Sequence, residues 1–214
     1  MATIKVLGYS GSITTRTVLC CLKEKRVDYE LVVVDPAAGD HLQPRYLALN
    51  PFAVVPTIQD GDLTLFESRG ILKYLAKKYK GQGTELYGNS LSEEALVEQW
   101  CEVEGQSYNS PALAILSQIV FVPKKGGTTD EAVVELNVEK VGKLLDIYEE
   151  RLSKSKYLAG DFFSLADLQH LATTHYLVTV CGKGDLISSR KHVKAWWKDI
   201  SSRPTWKKVT EKAP

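Results

Sequence analysis

Beyond Ser90 the sequence carries no strand pattern, whereas short β-rich runs and helical runs alternate before it; this change of period constrains the chain to two units of different class. Residues 4–7 form a β-rich run that Gly8 ends, and residues 15–25 follow with Val18, Leu19 and Leu22 at helical spacing. Residues 29–34 read as a second, fully buried strand, which makes a βαβ unit with a right-handed crossover. Residues 57–59 and 63–66 are two short strands around Asp60-Gly61, a dipeptide that favours a tight hairpin turn. A helix then starts at Ser68, with Ile71, Leu72 and Leu75 on one face.

The order βαβ then ββα predicts a mixed four-stranded sheet flanked by helices, which is an α/β thioredoxin-like domain over residues 1–80. Residues 81–89, GQGTELYGN, hold glycines and no periodicity and read as a linker. Residues 90–214 read as an all-α domain with helical patterns over 91–118, 130–152, 165–180 and 193–201. Within it, Ser164-Leu165-Ala166-Asp167 has the form of a capping box, the serine capping backbone amides and Asp167 reaching back to the serine's own amide, a structural role. Trp100, Trp196, Trp197 and Trp206 read as packing residues.

Lys plus Arg at 27 against Asp plus Glu at 26 leaves a formal net charge of +1, which offers no global attraction to nucleic acid or an anionic membrane. The longest apolar stretch, residues 115–122, includes Ser117 and Gln118 and falls well short of the ~18 residues of a membrane span. The first 25 residues place Lys5 and Arg16 among short apolar runs and so lack the core of a secretory signal; the expected location is the cytosol. Cys20, Cys21, Cys101 and Cys181 form neither a CxxC pair nor a zinc-ligand spacing and read as reduced core residues, so no metal is expected.

In a thioredoxin-like fold the reactive group follows the first strand, at the N-terminus of the first helix, where free amides and the helix dipole favour an anion. Here that segment is Gly8-Tyr9-Ser10-Gly11-Ser12-Ile13-Thr14-Thr15-Arg16. It holds no cysteine, which excludes disulfide exchange at this position. A hydroxyl there can instead donate to the thiolate of a ligand; this segment alone favours reading Ser10, Ser12, Thr14 and Thr15 as helix caps. In Asn50-Pro51-Phe52-Ala53-Val54-Val55-Pro56, Val55-Pro56 is a candidate cis bond that would leave the Val55 backbone facing outward to pair with a peptide ligand. In Phe66-Glu67-Ser68-Arg69, Ser68 and the helix amides can hold a carboxylate and Glu67 an ammonium, the two charges of a γ-glutamyl group.

NPFxxVP followed by DGDLxLFESRxI resembles the glutathione site of the phi-class glutathione transferases, a plant class, and the resemblance extends through TxLYG, LDIYEERL and YLAGDFFSLADL over the whole chain. It implies the two-domain transferase architecture, glutathione as co-substrate with no tightly bound cofactor, and conjugation of the thiolate to small hydrophobic electrophiles, with peroxidase activity beside it. It places the catalytic hydroxyl on Ser12, the γ-glutamyl contacts on Glu67 and Ser68, the cysteinyl backbone contact on Val55 beside Pro56, and the glycine end on His41 and its neighbour. Two positions depart from the family, which usually has lysine and glutamine where this chain has Leu42 and Val54; each loses a polar side chain from the expected glutathione site. The second substrate is expected between Ser12 and the helical domain, against Ser10, Ile13, Tyr108, Ala112, Ile115 and Leu116. Arg16 is expected to be a structural ion-pair partner. The family is dimeric, and Phe52 is either an aromatic that enters a pocket on the partner or an intramolecular core residue. The rival reading is a ligandin, a carrier of flavonoid-like hydrophobic metabolites.

Overall fold

Ile4, Val6, Leu7 and Gly8 are buried and Lys5 is exposed in the first strand, β1 (Ile4–Gly8), the central member of the only sheet among the described residues. The computed structural model describes residues 3–211. β2 (Tyr29–Val33) runs parallel to β1, with Ile4 opposite Tyr29 and Gly8 opposite Val33, while β3 (Thr57–Asp60) is antiparallel to it, with Val6 opposite Ile58. β4 (Leu63–Leu65) completes the order β2-β1-β3-β4, and Gly61 at φ 61° turns the chain between β3 and β4 as the Asp60-Gly61 pair predicts.

α1 (Ile13–Glu24) crosses from β1 to β2, and α3 (Ser68–Lys78) packs against it; Val18, Leu19 and Leu22 of one and Ile71, Leu72 and Leu75 of the other are buried, the residues that the helical spacing selects. Leu7, which strand alternation sets on the face opposite Val6, packs with Val34 and with Tyr46 of the short α2 (Pro44–Leu47). The β3–β4 hairpin is pinned to α3 by Asp60, whose carboxylate accepts from Tyr74 Oη at 2.8 Å and pairs with Lys78. Burial works to raise the Asp60 carboxyl, but the hydrogen bonds from Lys78 and Tyr74 outweigh it and hold it below the ordinary value.

The chain divides into two compact units, 3–87 with 204–211 and 88–203, which corrects two expectations. The last helix, α12 (Pro204–Thr210), belongs to the α/β unit: Trp206 and Val209 are buried, the helix lies on α1, and the Thr205 hydroxyl donates to Glu24. Most of the glycine-rich segment is likewise not a free linker. Lys25 Nζ donates to the Thr84 carbonyl at 2.9 Å, the Thr84 hydroxyl to Glu24 at 2.6 Å, and the Thr84 amide to the Glu24 carbonyl at 2.9 Å. At Gly83, φ 62°, a Cβ would lie 2.2 Å from that carbonyl oxygen, so only glycine lets the strap approach. Leu86 and Tyr87 are buried by the same packing.

The helical unit begins with α4 (Leu91–Val103), which Ser90 caps by accepting the Glu93 amide at 3.2 Å. The predicted helix over 91–118 continues further, through a π-helical turn at Glu104–Tyr108, α5 (Asn109–Leu116), a second π-helical turn at Ser117–Phe121 and α6 (Val122–Lys124). α7 (Glu131–Leu152) starts at Asp130, as expected. The predicted helix over 165–180 is broken at Gln169 into α8 (Leu165–Leu168) and α9 (His170–Thr179), followed by α10 (Asp185–Ser188) and α11 (Lys191–Ser201). Among the described residues no helix is long and apolar enough to cross a membrane.

The core of this unit is aromatic and polar at once. Tyr148 lies between Trp100 and His170 with ring centroids 5.4 Å from each, and Trp196 stacks edge-on against His170 at 5.5 Å. His170 Nδ1 lies 2.7 Å from the Ala166 carbonyl, an acceptor only, so Nδ1 carries the proton and Nε2 accepts from Tyr148 Oη at 2.9 Å. Asp167 takes the Ser164 amide at 3.0 Å as the capping box requires, but the Ser164 hydroxyl turns its proton to the same carboxylate at 3.1 Å. The Leu158 amide and Trp196 Nε1 donate to it as well, at 3.1 and 2.8 Å. The group is wholly buried, and burial pushes its carboxyl up against the pull of those four donors. Trp100, Trp196 and Trp206 are buried and Trp197 is half-buried, which bears out the packing reading.

Two expectations on stability follow from these buried groups. Asp167→Ala strands four donors and should cost about 3–5 kcal/mol, whereas Trp196→Phe, which strands part of one carboxylate oxygen, should cost about 1–2 kcal/mol; denaturant unfolding measures both. Asp60 behaves differently because its folded carboxyl titrates below the ordinary value of 3.8. Its contribution is present above that value and is lost as pH falls through the folded one. Unfolding midpoints at neutral pH and near pH ~3 should therefore differ less in Asp60→Asn than in the parent, with about 1–2 kcal/mol lost at neutral pH.

Candidate active site

The loop between β1 and α1 is a tight turn closed by the Ser12 amide on the Tyr9 carbonyl at 2.9 Å. A Cβ at Gly11 would lie 2.3 Å from the Tyr9 ring, so glycine is what allows that ring to lie across the turn. Arg16, 6% exposed, donates its Nε–H to the Ser10 carbonyl at 2.7 Å and so anchors this loop. Ser12 is the N-cap of α1, in extended conformation, and its Oγ accepts the Thr15 amide at 3.3 Å. The cap uses a lone pair of that hydroxyl, and its proton is left for another acceptor.

That proton has a defined partner. Thr14 Oγ1 donates to the Val55 carbonyl at 2.8 Å and lies 3.0 Å from Ser12 Oγ. A carbonyl has no proton to offer, so the single proton of Thr14 goes to Val55, and Ser12 is the donor in the contact between the two hydroxyls. The hydrogen-bonded chain runs from Ser12 to Thr14 to Val55, and it brings the start of α1 against the loop before β3.

That loop is built on Asn50, which is buried. Its Nδ2 donates to the Val54 carbonyl at 2.8 Å and to Thr57 Oγ1 at 3.2 Å, and its Oδ1 accepts the Phe52 amide at 3.1 Å. Tyr46 Oη donates to the same Val54 carbonyl at 2.6 Å, so the Thr57 hydroxyl, which accepts from Asn50, donates to Tyr46 at 3.0 Å. Burial raises the Tyr46 phenol, against the pull of Thr57 and Asn50, and keeps it a donor. Val55-Pro56 is cis, as expected, and Pro56 is buried. The Val55 carbonyl is not unpaired as the sequence implies, because the Thr14 hydroxyl occupies it.

Glu67 and Ser68 sit at the start of α3. Glu67 is exposed and occupies the N-cap position with φ 67° and ψ 102°, a conformation that costs a residue other than glycine about 1–3 kcal/mol and that collects at functional sites. The helical ladder begins with the Ile71 amide on the Glu67 carbonyl at 2.9 Å, so the Ser68 and Gly70 amides lie in the first turn, ahead of it. Ser68 is the first helical residue and not the cap. Phe52 is 65% exposed, which rules out the intramolecular core position; one face of its ring lies 5.6 Å from the Phe66 ring, next to Glu67.

His41 and Leu42 lie in a single 3₁₀ turn, Asp40–Leu42, just before α2. His41 is half-buried, and its Nδ1 is shut off from solvent without a hydrogen-bond partner among the described residues. Leu42 is 59% and Val54 48% exposed, so the two replacements present apolar surface where the family has polar groups.

Of the expected second-substrate walls, Ser10 and Ile13 are half-buried beside Ser12. Tyr108, Ala112, Ile115 and Leu116 are at most 1% exposed, in a segment that packs on α7 and α9, and Tyr108 Oη is bonded to Thr174 Oγ1 at 2.7 Å. The helical spacing that suggested them marks a core face, and they cannot line an open pocket while so packed. The four cysteines form no disulfide and are buried, and burial pushes the Cys21 thiol up to about 12 and raises that of Cys181. Tyr46 and Asn50 have no role in the sequence reading, and Thr14 only that of a helix cap. The one signal for Asn50 was an amide standing directly before Pro51-Phe52.

Residues 2–77 match the family model for the glutathione S-transferase N-terminal domain, and residues 112–204 that for the glutathione S-transferase C-terminal domain. The chain is 49% identical to glutathione S-transferase F10 of Arabidopsis thaliana over 93% of each chain. The structure of glutathione transferase F7 from Populus trichocarpa superposes with a TM-score of 0.95 at 50% identity, covering 98% of both chains. That of glutathione S-transferase I from maize, in complex with an atrazine glutathione conjugate, does so at 0.91 and 44%, covering 98% of this chain and 97% of the other. Matches of this extent on the fold and loops described above place the chain in the glutathione S-transferase family, in the plant phi class, as an enzyme that conjugates glutathione.

Proposed function

We propose that conjugation in this chain runs through Ser12, which holds the sulfur of glutathione as thiolate for attack on an electrophilic carbon of a small hydrophobic molecule. The observation that carries the reading is the Ser12 hydroxyl at the N-cap of α1: its lone pair faces the helix amide, and its proton, held by the Thr14 hydroxyl at 3.0 Å, can turn to an acceptor in front of the helix. A free thiol with pKa ~8.5 is only a few per cent ionised at neutral pH. One charge-assisted hydrogen bond at a helix terminus supplies about 1.5–3 kcal/mol of preference for the anion, one to two orders of magnitude in thiolate. The thiol proton leaves to solvent, the S–C bond forms, and the electrophile's leaving group departs with its electron pair.

The tripeptide is anchored by its ends. Glu67 faces the γ-glutamyl ammonium and Ser68, with the first-turn amides of α3, its carboxylate; the Val55 backbone pairs with the cysteinyl unit beside cis Pro56; the His41 turn, whose Nδ1 is orphaned, takes the glycyl carboxylate. The maize enzyme's complex with an atrazine glutathione conjugate supports a hydrophobic second substrate, with Ser10 and Ile13 as its wall. The exposed Phe52 supports a homodimer in which that ring enters a pocket of a second copy. The proposed location is the cytosol. A carrier role for flavonoid-like ligands is a second reading, favoured by the apolar exposure of Leu42 and Val54.

Four outcomes are expected. Ser12→Ala should lower turnover of a chloronitrobenzene by one to three orders of magnitude, with partial recovery as pH rises, and alter glutathione affinity less than tenfold; full activity from about pH 6 to 9 would remove the hydroxyl from the sulfur. Glu67→Gln and Ser68→Ala should each weaken glutathione binding by about 1–3 kcal/mol in calorimetry. Ser68 is not the helix cap, so its replacement should leave the unfolding midpoint nearly unchanged. Leu42→Lys should tighten glutathione by up to about tenfold, since a lysine there gains a charged contact with the glycyl end. Light scattering should give twice 23.8 kDa, and Phe52→Ser should shift that mass toward the monomer.

A further inference from the structure

The hydroxyls of Ser12 and Thr14 and the carbonyl of Val55 form a chain of three groups with two protons, and its direction matters. The Val55 carbonyl can only accept, so Thr14 gives it its proton at 2.8 Å and Ser12 gives its own proton to Thr14 at 3.0 Å. In this direction Ser12 has nothing left to donate to a thiolate. If Ser12 alone turned its proton to a sulfur, the two hydroxyl oxygens would face each other at 3.0 Å with no proton between them, a repulsive contact. The contact is restored only when Thr14 also turns and donates to Ser12. Thr14 is on the first turn of α1 and exposed, so its hydroxyl is free to rotate.

We propose that Thr14 is a positioning residue that couples docking of the glutathione main chain at Val55 to the direction in which Ser12 donates. The inference rests on the reading of Ser12 as the thiolate's partner. A cysteinyl amide that donates to the Val55 carbonyl shares the acceptor that Thr14 uses and weakens its hold on the Thr14 proton, while a thiolate draws the Ser12 proton away from Thr14. The Thr14 proton then turns to Ser12, and the chain reverses to run from Thr14 to Ser12 to sulfur. A hydroxyl that accepts a hydrogen bond is polarised into a stronger donor, so the reversed chain also strengthens the bond to the anion. No covalent bond changes and no proton is exchanged; two hydroxyls rotate. The arrangement makes thiolate stabilisation conditional on a correctly seated tripeptide, so a thiol that lacks the cysteinyl amide gains less.

Thr14→Val removes the hydroxyl while keeping the side chain's shape, and Thr14→Ser restores it. The reading is the ionisation of enzyme-bound glutathione, followed by thiolate ultraviolet absorbance from about pH 5 to 10, with the affinity of S-methylglutathione beside it. In Thr14→Val the bound thiol should titrate about 0.5–1 unit higher, and turnover below that pH should fall about three- to tenfold and recover with rising pH. S-methylglutathione, which has no thiol to ionise, should bind no more weakly than to the parent, because Thr14 no longer competes for Val55. Thr14→Ser should titrate like the parent. A bound thiol in Thr14→Val that titrates unchanged or lower, while Ser12→Ala raises it, overturns the coupling and leaves the Ser12 reading intact. If Ser12→Ala leaves it unchanged, the Ser12 reading itself fails. Weaker S-methylglutathione binding with unchanged thiol ionisation assigns Thr14 a structural role and also overturns the proposal.

Discussion

Asn50 is one buried amide on which the geometry of the loop before β3 depends. Its side chain meets the Val54 carbonyl, the Thr57 hydroxyl and the Phe52 amide, which are three of the polar groups that a chain passing from α2 into β3 would otherwise leave unsatisfied. An amide is suited to this because it offers donors and an acceptor in one plane, and its burial makes each bond costly to lose. Tyr46 closes the arrangement from α2 by donating to the same Val54 carbonyl. With Val54 tied down from behind, the next carbonyl, that of Val55, faces the start of α1 and meets Thr14. The position of the Val55 backbone thus follows from the buried bonds that hold its neighbour Val54.

The helical unit solves its polar problem in a comparable way. Asp167 gathers two amides, a hydroxyl and an indole N–H, so a carboxylate that would be prohibitive alone becomes a joint between the start of α8, the 158 strand of backbone before it and α11. Beside it, His170 passes a hydrogen bond from Tyr148 to the Ala166 carbonyl. Networks in which every member is satisfied rigidify a core and specify one packing. Tyr108 belongs to this core, and its phenol is spent on Thr174.

The site itself keeps what the cores avoid. Glu67 holds a backbone conformation that is costly for its residue type, His41 Nδ1 is closed off without a partner, and Leu42, Phe52 and Val54 expose apolar surface. Each is a local departure from good folding, and they occur on the loops that the resemblance assigns to glutathione; strain and unmet polar capacity of this kind collect at functional sites.

The mixed sheet, the helices α1, α3 and α7 and the place of Ser12 were legible in the residues, because period, turn chemistry and caps are local properties of a few neighbouring side chains. The break at Gln169, the return of α12 to α1 and the anchoring of residues 83–87 were not, since each depends on partners far along the chain: Thr205 and Thr84 meet on Glu24 across 181 and 60 residues. Helical spacing in α5 could mark Ala112, Ile115 and Leu116 as one face but not say whether that face meets substrate or core; packing on α7 and α9 decided it. Likewise the sequence determined that hydroxyls crowd the start of α1. Only the approach of Val55, 41 residues from Thr14, decided which of them gives a proton to which, because a hydroxyl's direction is set by the nearest group that can accept and not by its neighbours in sequence.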